Sequence, residues 1–118
     1  FPYTTLFRSA DVVIADVPCS GLGVLRKKSD IKYRMSEAAE TELVSLQREI
    51  LQTAARYVKQ GGTLLYSTCT IHRAENEENV AWFLKMHPRF RLKRQEQIFP
   101  GDALGDGFFL AQLVCKAD

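Results

Sequence analysis

The sequence predicts an α/β fold: a parallel sheet with helices packed on its faces and an antiparallel last strand. Three observations carry this. Apolar residues recur along the chain in the order strand, helix, strand, helix, strand, strand. The run Val12, Val13, Ile14, Ala15 is continuously apolar and mostly β-branched, as in a parallel strand covered on both faces. After the second helix, two strand-like runs follow one another with no helix between them. That calls for a hairpin and an antiparallel edge strand.

Each element has its own signal. Residues 11–18 read as the first strand, stopped at Pro18, which has no N–H to give to a ladder. Ser20, Gly21 and Gly23 then mark a tight loop. Over residues 38–59 the apolar positions are Leu43, Leu46, Ile50, Leu51, Ala54, Tyr57 and Val58, whose spacing is that of one helix face. Gly61 and Gly62 are placed to cap this helix, and residues 63–69 form a second short buried strand ending in polar groups.

A second helix is expected over residues 74–86. Glu75, Glu77 and Glu78 lie near its positive end, Val80, Phe83 and Leu84 form its inner face, and Pro88 stops it. Strands follow at residues 90–95 and 107–116, joined by a loop over 99–106 that is rich in Gly and Asp. No internal repeat is visible.

Composition narrows the function classes. The chain has 118 residues, with 46% apolar and 25% charged, ordinary values for a globular domain or part of one. No apolar run reaches the roughly 18–20 residues that a membrane-spanning helix needs, so no membrane partner is expected. The net charge of +2 is too small to imply a polyanionic partner, but its distribution is uneven. Arg26, Lys27, Lys28, Lys32 and Arg34 crowd one segment against Asp30 alone, and Lys85, Arg89, Arg91, Lys93 and Arg94 form a second basic group. Three widely spaced cysteines, Cys19, Cys69 and Cys115, argue against a disulfide framework and for a reducing, cytoplasmic setting. No Cys/His ligand spacing appears, so no metal site is expected. The first nine residues have no helical period and read as a non-native adaptor segment, leaving residues 10–118 as the folded part and implying that the natural gene continues upstream.

In a parallel α/β sheet, ligands gather at the carboxyl ends of the strands. Two segments fall there: Asp16-Val17-Pro18-Cys19-Ser20-Gly21 and Ser67-Thr68-Cys69-Thr70. Each follows a buried strand and presents a cysteine, so the two thiols are expected on neighbouring strand ends within about 10 Å of one another, since strands joined by one crossover are usually neighbours. Asp16 adds a carboxylate on the same loop. A single cysteine there reads most simply as a small core residue; the matched pair with a carboxylate points to chemistry. Cys115, alternating with apolar neighbours in an edge strand, is given no role.

These motifs together resemble the Nol/Nop/Sun family of RNA 5-methylcytosine methyltransferases, especially the bacterial type acting on small-subunit ribosomal RNA. The residues from Asp16 to Gly21 are similar to that family's Asp-x-Pro-Cys-Ser motif, and the segment around Cys69 to its Thr-Cys motif. Asp30-Ile31-Lys32, Glu75-Asn76-Glu77 and Gly105-Asp106-Gly107-Phe108-Phe109 also match that type, in order. The resemblance implies the C-terminal half of a Rossmann-like class I methyltransferase domain. It implies S-adenosylmethionine as cofactor and RNA as partner, ribosomal RNA before transfer RNA. It also implies transfer of a methyl group to carbon 5 of a cytosine through a covalent cysteine adduct. By that resemblance Cys69 is the nucleophile, Cys19 assists breakdown of the adduct, and Asp16 lies between cofactor and base. The basic group from Arg26 to Arg34, next to Cys19 in sequence, is a candidate phosphate contact.

The sequence departs from the family in lacking a Gly-rich cofactor loop and the acidic residue that holds the ribose. The chain alone is therefore expected not to methylate or to bind the cofactor measurably. Two other readings compete. A non-catalytic RNA-binding or scaffold domain of the same fold has no use for the thiols. A thiol oxidoreductase would need a Cys-x-x-Cys that is absent.

Overall fold

In the computed structural model, which describes residues 7–19, 37–99 and 107–117, six elements alternate along the chain. They are β1 (Ala10–Asp16), α1 (Glu37–Ala55), β2 (Val58–Thr68), α2 (Glu77–Met86), β3 (Phe90–Ile98) and β4 (Phe108–Cys115). The strands form one sheet in the order β1-β2-β4-β3. β1 and β2 are parallel, and β4 runs antiparallel to both of its neighbours, leaving β3 parallel to β2. The α/β class and the antiparallel last strand are as the sequence predicts.

The position of that last strand is not. β4 lies inside the sheet, and β3 forms the edge. The residues explain it. Phe109, Ala111, Leu113 and Cys115 of β4 are all buried, whereas β3 is exposed at Arg91, Lys93, Arg94, Gln95 and Glu96. A strand this polar suits an edge, where charged side chains also block further pairing.

The first helix is shorter than its apolar spacing suggests. It ends at Ala55, and β2 starts at Val58, so Tyr57 and Val58 are not helical and Gly61 and Gly62 are strand residues, not caps. β2 makes an irregular step there: Ala10 faces Val58, while Val12 faces Thr63. Gly61 takes φ of 80°, a value that side chains disfavour, and a Cβ on Gly62 would lie 2.9 Å from the Lys59 carbonyl and 3.0 Å from that of Ala10. The glycines therefore let β1 approach the kinked strand. The helix end is capped from elsewhere: Arg89 Nη2 donates to the Ala55 carbonyl at 2.6 Å.

Both helices lie on one face of the sheet. From that face Ala15, Val17, Leu64, Tyr66, Phe109, Ala111, Leu113, Cys115 and Phe90 meet Leu51 and Ala55 of α1 and Val80 and Phe83 of α2. Burying each such Leu, Val or Phe contributes roughly 1.5–3 kcal/mol. The opposite face is open among the described residues: Val12 is 55% and Ile14 67% exposed, so the described part of the chain does not supply the cover that the apolar run calls for. Of the nine residues set aside as non-native, residues 1–6 lie outside the described part. Arg8 N donates to the Arg56 carbonyl at 2.8 Å, and the Phe7 ring packs 5.4 Å from that of Tyr57. No described helix is long and apolar enough to cross a membrane.

Candidate active site

The parallel ladder brings two loops to one edge of the sheet. Asp16 faces Ser67 in register, and Val17 N–H extends the pairing to the Ser67 carbonyl at 3.1 Å. Cys19 and Cys69 therefore emerge side by side, and the Cys69 backbone N–H donates to Cys19 Sγ at 3.2 Å. The two thiols are neighbours, as their strand-end positions predict. Cys69 is exposed and Cys19 half-buried, and neither is in a disulfide. Asp16 is exposed on the same edge, its Oδ1 accepting a hydrogen bond from Ser67 Oγ at 3.0 Å. The amide aimed at Cys19 fixes that sulfur, while Cys69 is the more accessible thiol.

Beneath the loops lies a buried polar layer. Gln47, Thr68, Thr70, Glu75, Asn76 and Asn79 are all fully buried. Gln47 Nε2 donates to the Pro18 carbonyl at 2.7 Å and to Glu75 Oε1 at 3.0 Å, tying the loop that carries Cys19 to the approach to α2. Asn79 Nδ2 reaches Gln47 Oε1 and the Tyr66 hydroxyl, each at 3.0 Å. Tyr66 in turn donates to the Glu75 carbonyl at 2.5 Å. Burial, with a smaller push from the Glu75 charge, raises the Tyr66 hydroxyl well above the usual phenol range, so it stays a donor. On the other side, Asn76 contacts Thr68, Thr70 and Gln97.

The helix expected from residue 74 begins at Glu77, and this changes the role of its acids. Glu77 and Glu78 occupy the first turn, where the dipole favours them, but Glu75 precedes the helix and is buried. Its Oε2 lies 3.5 Å from His72 Nδ1, which is 2.7 Å from Glu40 Oε1. These three residues bring ligand-type atoms within 4.8 Å of one another, a grouping that no sequence spacing reveals.

Other sequence expectations scatter. Ser20, Gly21, Gly23, the basic group from Arg26 to Arg34 with its Asp30-Ile31-Lys32, and Gly105 and Asp106 lie outside the described residues. The second basic group is not one patch, because Arg89 turns inward to Ala55 and Cys115, and Arg94 pairs with Glu96 at 3.1 Å. Cys115 is buried in β4, inside the sheet and not at its edge, and receives Arg89 Nη1 at 3.0 Å; it keeps its structural reading.

Sequence reasoning does not find Gln47, Tyr66 or Asn79, and marks Asn76 only within the Glu75-Asn76-Glu77 resemblance, without a role. A signal exists for one of them. Gln47 falls on the helix face marked by Leu43, Ile50, Leu51 and Ala54, where a polar side chain needs a buried partner.

Comparison with known proteins identifies the family and agrees with the fold. Residues 3–114 match the model of the family described as 16S rRNA methyltransferase RsmB/F. Ribosomal RNA small subunit methyltransferase B of Sodalis glossinidius is 41% identical over 111 residues, covering 88% of this chain and 26% of the relative. The chain thus spans about a quarter of that relative's length. Among solved structures, that of PH0851 superposes with a TM-score of 0.88 at 38% identity, covering 95% of this chain and 28% of that one. NSun6 from Pyrococcus horikoshii with SFG gives 0.79 at 27% identity, covering 93% and 31%. With a family match over nearly its whole length and the paired strand-end cysteines in place, the chain belongs to the 16S rRNA methyltransferase RsmB/F family.

Proposed function

We propose that this chain carries the two thiols of an S-adenosylmethionine-dependent RNA (cytosine-5)-methyltransferase, working as part of a longer enzyme on small-subunit ribosomal RNA. What supports the reading most is the contact between the loops: two cysteines on adjacent parallel strand ends, linked by the 3.2 Å bond from Cys69 N–H to Cys19 Sγ, with Asp16 on the same edge. An RNA-binding scaffold has no need of paired thiols at a ligand-binding edge.

Each residue has a task in this reading. The Cys69 thiolate adds to carbon 6 of the cytosine, and the electron pair displaced from the ring's double bond makes carbon 5 nucleophilic. Asp16, at the crevice, meets ring nitrogen 3 and the exocyclic amine, where charge develops as the thiolate adds. After methyl transfer, carbon 5 must lose its proton so that the electrons return to the ring and expel Cys69. Cys19, held beside Cys69, assists that last step.

The donor set fits a bound S-adenosylmethionine at its rim: Asp16 is an exposed carboxylate at the carboxyl end of β1, held by Ser67 and facing outward. When bound, the cofactor supplies an electrophilic methyl group. The NSun6 neighbour was solved with SFG, an analogue of S-adenosylmethionine, which supports the same cofactor here.

The experiment joins this chain, in place of the matching segment, to the Sodalis glossinidius enzyme and follows methyl transfer to small-subunit ribosomal RNA. Digested RNA should contain 5-methylcytidine. Cys69→Ala should abolish it, and Cys19→Ala should leave a covalent RNA adduct, visible as a retarded band on a denaturing gel. Turnover by Cys69→Ala, or methyl on another atom, overturns the assignment. A folded joined enzyme that binds RNA and cofactor but transfers nothing supports the scaffold reading instead.

A further inference from the structure

Asn76 stands at the N-cap of α2, where an asparagine normally turns its side-chain oxygen onto a helix N–H, worth about 1 kcal/mol. It makes no such bond. Its side chain is directed away from the helix, into the loop that holds Cys69. Asn76 Oδ1 accepts from Thr68 Oγ1 at 2.6 Å, and Asn76 Nδ2 donates to the Thr70 carbonyl at 2.9 Å and to Gln97 Oε1 at 2.7 Å. Thr68 and Thr70 are the residues on either side of Cys69, so one buried amide holds both flanks, Thr68 by its side-chain hydroxyl and Thr70 by its backbone carbonyl. Gln97 adds a second hold, its Nε2 reaching the Thr70 carbonyl at 3.3 Å and that of Phe108 at 2.9 Å.

The neighbouring residue serves the other thiol. Glu75 Oε1 accepts from Gln47 Nε2, which also donates to the Pro18 carbonyl, one residue before Cys19. Two consecutive side chains ahead of α2 therefore control the two loops, one directly and one through Gln47. We infer that Asn76 is a positioning residue for the Cys69 reaction, and that the Glu75–Asn76 pair sets the placement of the two thiols relative to each other. The inference rests on the proposed role of Cys69 as nucleophile.

The physical reason is reach. Cys69 is exposed and follows the last residue of β2, so the ladder alone does not fix it. A nucleophile displaced by about 1 Å can lose two orders of magnitude in rate. A buried amide bonded to both flanking residues and to Gln97 holds the loop in one conformation.

Asn76→Asp is the test, because it nearly keeps the shape and the acceptor for Thr68 but removes both donations. In the 118-residue chain, amide hydrogen exchange at Cys69, whose N–H bonds Cys19 Sγ, should quicken tenfold or more, while exchange at Leu64 and Tyr66 in the β2 ladder stays within twofold. In the joined enzyme, kcat should fall at least tenfold with KM for RNA within twofold, the pattern of misplaced chemistry and not of weakened binding. Thr68→Val, which removes one hydroxyl of the clamp, should shift both readouts in the same direction by less.

Unchanged exchange at Cys69 overturns the inference. So does acceleration throughout the β2 ladder in both variants, which would make Asn76 a residue of the fold alone, and so does a KM effect at constant kcat. The exchange measurement needs neither RNA nor cofactor. A failed clamp therefore leaves the functional reading standing, and a Cys69→Ala that still methylates removes the reading without touching the clamp.

Discussion

The two faces of the sheet are made from the same four strands and differ in nearly everything else. On one face, Leu64, Tyr66, Ala111 and Leu113 are wholly buried beneath α1 and α2. On the other, alternate residues of the same strands, Val12, Ile14, Thr63, Leu65, Leu110 and Val114, are exposed or half-buried. The helix-covered face also carries the polar layer that reaches the two cysteine loops, so the packing that stabilises the chain is the packing that places the thiols. The open face is apolar along β1 at Val12 and Ile14, charged along β3 at Arg91, Arg94 and Glu96, and nowhere a core. Substitutions on the two faces should therefore differ sharply, and the following tests grade that difference.

The largest effect is expected at Phe83, fully buried, edge-on to Phe90 at 5.1 Å and stacked on His87 at 4.4 Å between ring centroids. Phe83→Ala should cost about 3–5 kcal/mol through lost transfer energy and a cavity. That is comparable to the whole stability of a small domain. Urea unfolding followed by circular dichroism would show a largely unfolded chain in water. A midpoint near wild type would mean that α2 is not packed as described.

A polar change on the same face should do less. Tyr66→Phe keeps the ring and its edge-on contact with Phe109 at 6.3 Å but removes two buried hydrogen bonds, one to the Glu75 carbonyl and one from the Asn79 amide, while Asn79 keeps its bonds to Gln47 and to the Glu75 carbonyl. Each lost bond is worth about 0.5–1.5 kcal/mol net. The same urea titration measures it. A neutral result would show that water or side-chain movement satisfies the layer and that the face tolerates polar loss as easily as the open one.

The contrast also explains what could be read from the sequence. Strand and helix identity follow from apolar period, and the pairing of Cys19 with Cys69 follows from two strand ends joined by one crossover. Four things resist such reading. Tyr57, Val58, Gly61 and Gly62 satisfy a helical tail and its cap as well as a kinked strand, and only the close approach of Ala10 to Gly62 decides between them. The insertion of β4 between β2 and β3 depends on comparing their burial, which no local pattern gives. A polar residue such as Asn79 looks like surface until its partner Gln47, distant in sequence, is known. The exposure of Val12 and Ile14 is a fourth case: the apolar run says that the strand prefers cover on both sides, not that this chain supplies it.

A smaller effect on the covered side should follow pH. His87, just after α2, has its pKa lowered, first by burial and then by the positive charge of Arg89. The folded state therefore binds the proton less readily than the unfolded chain does. The stabilising contribution is fully present above the ordinary histidine value of about 6.5 and is lost as pH falls below it. Thermal unfolding between pH 7.5 and 5 should show a decline that His87→Gln reduces. An equal decline in that variant would assign the acid sensitivity to groups other than His87.

The smallest change in stability, and the largest in behaviour, belongs to Ile14. It is 67% exposed on the open face, in β1, whose outer edge pairs with no other strand among the described residues. An apolar strand with an unpaired edge is a template for pairing with another chain. Ile14→Lys removes the apolar contact and places a charge on that edge, yet disturbs nothing beneath α1. Stability should change by no more than about 0.5 kcal/mol, the usual range for an exposed site. Self-association should weaken, seen as later elution and lower scattering mass at equal concentration. A loss of several kcal/mol would mean that this face is packed against something in solution. Since the isolated chain offers only copies of itself, concentration-dependent unfolding would then identify a second copy as the cover. The two faces would in that case differ in what covers them and not in whether they are covered.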